Sequence, residues 1–94
     1  MSLEGVMKIP AELKPYRAAL GAGLFHLALG AAPPEHVPSA DCKSARIKVE
    51  GEAFGYLESL VPRYGSRRQA VIHALAWVSA QPAHRRALLE KTII

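Results

Sequence analysis

Ninety-four residues carry 12 Lys and Arg against 8 Asp and Glu, a formal charge of +4 with neutral histidines; half are apolar and 21% are charged. A chain of this size makes one domain and buries too little surface for a deep cofactor pocket, which excludes a multidomain enzyme and argues against an enzyme of any kind. The apolar fraction excludes a disordered tail, and the single cysteine, Cys42, excludes a disulfide scaffold or a multi-cysteine zinc site and suits a reducing cytoplasm.

Residues 1–30 read as an N-terminal helical extension. Pro10 suits a first helical turn with Glu12 near its positive end, and Pro15 offers a second place for the helix to begin. Leu20, Leu24, Leu27, Phe25 and Ala28 give a wide apolar face, with Gly21 and Gly23 as packing or flexibility residues inside it. The apolar run from Ala18 to Ala32 is fifteen residues, short of the roughly 20 a bilayer span needs. Lys8, Lys14 and Arg17 precede it as in a secretory signal, but Pro33-Pro34-Glu35-His36 offers no small-x-small cleavage site, so the run reads as a buried helix.

Residues 31–44 read as a Pro/Ala/Ser-rich linker in which Pro33, Pro34 and Pro38 stop the helix. The charge changes across it. Residues 1–42 balance to −1, whereas residues 43–94 hold nine basic and four acidic side chains. Ala45-Arg46-Ile47-Lys48-Val49 alternates apolar and basic, the mark of a strand with one buried face. Phe54, Leu57, Leu60 and Val61 then share a helical face that closes at Pro62 and Gly65, with Pro62 shortening or bending the last turn. Ser66 is placed to cap the next helix, whose buried stripe is Val71, Ile72, Leu75 and Val78. Residues 82–94 read as a short C-terminal helix with Leu88 and Leu89 facing inward. No internal repeat stands out.

One short strand followed by two helices cannot satisfy its own ladder, and the simplest remedy is the same strand of a second copy. From Val49 it is eight residues to Leu57, eleven to Leu60, sixteen to Gly65 and twenty-three to Ile72. With the opening Gly65-Ser66-Arg67-Arg68-Gln69-Ala70-Val71-Ile72, the stretch Ala45 to Ser79 resembles a ribbon-helix-helix DNA-binding domain of the Arc, MetJ and CopG type. The resemblance implies a mainly α fold: a homodimer with one strand and two helices per chain and an intersubunit antiparallel ribbon, spanning residues 45–81 here, with the N-terminal helix added.

Strand parity turns Ala45, Ile47 and Val49 toward the core and Ser44, Arg46 and Lys48 outward. In the resembled family such outward side chains read bases in the major groove. Arg46 is the strongest reader, because its planar fork matches O6 and N7 of guanine; Lys48 and Ser44 follow. The alternative for the strand is a solvated edge guarded by basic residues. Ser66, Arg67 and Arg68 open a helix whose free amides and dipole favour phosphate, and the resemblance makes them a backbone clamp; the plain alternative is a capped, soluble helix start. Glu50 and Glu52 read as structural. His26, His36, His73 and His84 lie too far apart in sequence for a metal site, so neither metal nor cofactor is expected. Trp77 reads as a packing or dimer-edge residue rather than a base-stacking one, and Cys42 lacks a nucleophile's setting.

The expectation is therefore a cytoplasmic, prokaryotic, plasmid- or phage-type repressor: a homodimer that binds double-stranded DNA and occludes a promoter, with the N-terminal helix either joining dimers into higher oligomers or extending the dimer core. One alternative is an antitoxin whose extension binds a toxin. The other is a helical protein-interaction module without DNA binding. None of the three is a membrane protein.

Overall fold

The computed structural model describes residues 2–91. Strand β1 (Ser2–Pro10) leads into a 3-10 helix (Ala11–Ala19) and helix α1 (Leu20–Ala28). After a loop come β2 (Cys42–Glu50), α2 (Glu52–Tyr64), α3 (Arg67–Ser79) and α4 (Ala83–Glu90). Strand, helix, helix is thus written twice in succession, followed by one further short helix.

The missing partner of β2 is β1 of the same chain. The two pair antiparallel from Ser2 opposite Glu50 to Pro10 opposite Cys42, with Val6 opposite Arg46 at the centre. This corrects the expected mainly α ribbon-helix-helix homodimer: the ribbon is intramolecular, and the domain is α+β, a two-stranded sheet against a helical layer. The physical reason is plain. An unpaired strand leaves a row of backbone donors and acceptors unsatisfied, and a second nine-residue strand tethered in the same chain meets them without the entropy of association. Residues 1–30 accordingly begin with a strand rather than forming a purely helical extension.

Ala45, Ile47 and Val49 of β2 are buried, together with Ile9 of β1, while Leu3 and Met7 pack against the same cluster. Beneath them lie Leu13, Leu24 and Leu27 from the first half and Leu57, Leu75 and Val78 from the second. A single apolar cluster therefore joins residues of the expected extension to residues of the expected DNA-binding segment. At about 25 cal/mol per Å² of apolar surface removed from water, each such side chain contributes roughly 1.5–3 kcal/mol. The segment 31–41 carries no helix or strand but is fastened at intervals: Ala31 and Val37 pack on the core, and the Ala11 amide donates to the Asp41 carbonyl at 3.0 Å.

Local chemistry explains the helix ends. Pro15 cannot donate to the Ala11 carbonyl as an α-helix requires, and the segment around it winds as a 3-10 helix. The chain continues helically through Pro62 to Tyr64, so that proline does not end α2. Gly65 does, with φ of 98° in the left-handed region and its amide donating to the Val61 carbonyl at 2.7 Å. Ser66 then caps α3, its Oγ accepting from the Gln69 amide at 3.1 Å. In α4 the expected pair separates, Leu89 buried and Leu88 65% exposed, because neighbouring helical residues point about 100° apart. No helix among the described residues is long and apolar enough to cross a membrane.

Candidate nucleic-acid interface

With the inner face of the ribbon on the core, its outer face is left to solvent. Ser44, Arg46, Lys48 and Glu50 are exposed on β2, and Ser2, Glu4, Val6 and Lys8 are exposed beside them on β1. The parity assigned to Ser44, Arg46 and Lys48 from sequence is the parity observed. Glu4, Val6 and Lys8 are additions from the strand that sequence reasoning did not find. Their signal was present but broken: Leu3, Met7 and Ile9 alternate inward, yet Gly5 interrupts the apolar series and Val6 places an apolar side chain on the outward parity.

The charges on this face are partly engaged with one another. Arg46 Nη2 reaches Glu4 Oε1 at 3.3 Å, both side chains well exposed, and Lys48 Nζ lies 3.9 Å from Glu50 Oε1. Exposed pairs of this kind contribute about 0–1 kcal/mol, so phosphate or a base edge competes with them at little cost. Lys8 makes no ion pair among the described residues. Val6 is 66% exposed, an unusual place for a branched apolar side chain.

The two strand edges are held by arginines. Arg17 Nη1 donates to the Arg46 carbonyl at 3.2 Å, and Arg68 Nε donates to the Lys8 carbonyl at 2.7 Å. In each case an arginine from one strand-helix-helix half reaches the strand of the other half. A two-stranded sheet leaves every second carbonyl without a strand partner, and the guanidinium supplies one.

The expected phosphate clamp is thus distributed differently from its sequence pattern. Ser66 is committed to the helix cap. Arg67 pairs with Glu58 and lies over the Phe54 ring, 5.3 Å from its centroid. Arg68 bridges the Lys8 carbonyl and the Cys42 sulfur, the latter at 3.6 Å. The structure brings Arg68 to the end of the ribbon that carries Lys8 and Ser44, whereas Arg67 turns toward α2.

Away from the ribbon, a groove of about 560 Å³ lies between Pro33, Pro34 and His36 of the loop, Trp77 near the end of α3, and Gln81 just beyond it. Trp77 is largely buried, as expected for packing. It stacks on His26 with centroids 4.9 Å apart, and Arg85 lies 5.8 Å from its ring.

No protein-family model, no curated protein and no solved structure matches the chain.

Proposed function

We propose that the protein binds duplex DNA through the outer face of its intramolecular ribbon and acts as a sequence-specific transcriptional repressor by covering its site. The observation that carries this reading is an antiparallel ribbon whose outer face no other described element covers, presenting Lys8, Arg46 and Lys48 together. Its strands are separated by about 4.8 Å, and the major groove is about 12 Å wide and admits such a ribbon with its side chains. Arg46 offers a fork for guanine, Lys8 and Lys48 offer phosphate or base contacts, and the chain's net charge of +4 favours approach to DNA. The role places the protein in the cytoplasm with its DNA.

Fluorescence anisotropy with duplex DNA across a salt series tests the proposal. Affinity falls steeply with salt, and Lys8→Ala lowers the slope by about one. Arg46→Ala weakens the preferred duplex by about 1–3 kcal/mol and an unrelated duplex much less. Absence of binding at low salt contradicts the proposal.

A further inference from the structure

We infer that the DNA site is asymmetric in sequence and is occupied by one copy of the chain. This rests on the proposal that the ribbon's outer face meets duplex DNA, and it follows from the register. The strands are of equal length and pair end to end with Val6 opposite Arg46 in the middle. The local two-fold axis of such a ribbon passes through that central pair and relates Glu4 to Ser44, Val6 to Arg46 and Lys8 to Lys48.

A ribbon of two identical strands repeats the same side chain at each related position, and therefore reads the same bases on both sides of its centre. This ribbon does not. Only one of the three related pairs is chemically repeated, lysine against lysine. At the centre an arginine fork stands on the outer face beside a branched apolar side chain, 66% exposed. At the remaining position a carboxylate replaces a hydroxyl. The recognition chemistry differs accordingly: guanine O6 and N7 for Arg46, and a thymine methyl group for Val6. Glu4 accepts from cytosine N4 or holds Arg46, to which it lies at 3.3 Å. The exposure of Val6 thereby acquires a purpose that a solvated strand does not give it. Because β1 completes the ribbon within the chain, a second copy is not needed to fill the groove.

Selection of duplexes from a randomised pool with the full chain, followed by a stoichiometric titration, tests the inference. The expected result is a non-palindromic preferred sequence containing guanine on one side of the centre and thymine on the other, with one chain per duplex. Replacing that thymine by uracil, which removes only the methyl group, weakens binding several-fold in the wild type and leaves Val6→Ser unaffected. Val6→Arg, at an exposed position the fold tolerates, shifts the preferred sequence toward a palindrome. A palindromic wild-type preference, or two chains per site, overturns the inference while leaving DNA binding intact. Binding of the pool with no sequence enriched also overturns it and reduces the ribbon to a non-specific basic face. No binding of the pool at low salt removes the underlying proposal as well.

Discussion

Arg68 donates from Nε to the carbonyl of Lys8 at 2.7 Å, fastening the first turn of α3 to the free edge of β1. Read from sequence, this arginine belongs to a phosphate clamp; in the fold it joins two segments sixty residues apart. Its replacement is therefore expected to lower stability more than DNA affinity. Arg68→Ala costs about 1 kcal/mol, the ordinary net value of such a bond, read as a lower urea midpoint at unchanged slope. Arg67→Ala, which loses a partly exposed pair with Glu58, costs less than about 1 kcal/mol.

Two glycines in one helix make a paired prediction. A Cβ on Gly23 would lie 2.8 Å from the Ala74 carbonyl oxygen and 3.0 Å from Val78 Cγ2, so α1 and α3 approach closely there. On Gly21 the nearest neighbour would be Ala53 Cβ at 3.8 Å, an ordinary contact. Gly23→Val is expected to destabilise by about 1–3 kcal/mol through overpacking against backbone. Gly21→Ala is expected to be neutral or to stabilise by up to about 1 kcal/mol, the helix-propensity gain. Denaturant midpoints of the two variants check the contrast.

The stack of His26 on Trp77 sets a pH dependence. Burial, and then the nearby Arg85 guanidinium, hold the His26 pKa below its ordinary 6.5. The unfolded chain therefore binds more protons than the folded one just below pH 6.5, and stability increases with pH through that window. The contribution is complete above the unfolded value and is lost as pH falls through the lowered folded value. His26→Phe keeps a ring against Trp77 and removes the titrating group, so it flattens the decline in stability measured by urea unfolding across acid pH. An unchanged slope contradicts the assignment.

Much of the second half was legible because its patterns are strong and local. Alternation identified β2 and turned Arg46 and Lys48 outward, 3.6-residue periodicity found α2 and α3, and Gly65-Ser66 marked the turn between them. The first strand was not legible in the same way. Gly5 removes one apolar side chain from its inner face and Val6 adds one to its outer face, which blurs a period-two signal already short. The apolar run after it then drew the whole segment toward a helical reading. From that omission followed the intersubunit ribbon: a strand with no visible partner was given a copy of itself. The side-chain partners of Arg46, Arg67 and Arg68 lay beyond sequence for a different reason, since they are nine or more positions away and are brought together only by packing.

Gly5 carries a further expectation. It has no positive φ, and a Cβ there would meet nothing within 4 Å. Gly5→Ala is thus free of steric cost and restricts the unfolded chain, raising stability by about 0.4–1 kcal/mol, visible as a higher thermal midpoint. A loss of stability would show that the ribbon's centre depends on glycine.

The most direct measurement is the change in backbone amide chemical shifts when duplex DNA is titrated into the isotopically labelled chain at low salt. The proposed interface predicts that the largest changes cluster at Glu4, Val6, Lys8, Ser44, Arg46 and Lys48, with smaller ones at the start of α3. Changes concentrated instead around His36, Trp77 and Gln81, or no changes at all, would contradict it.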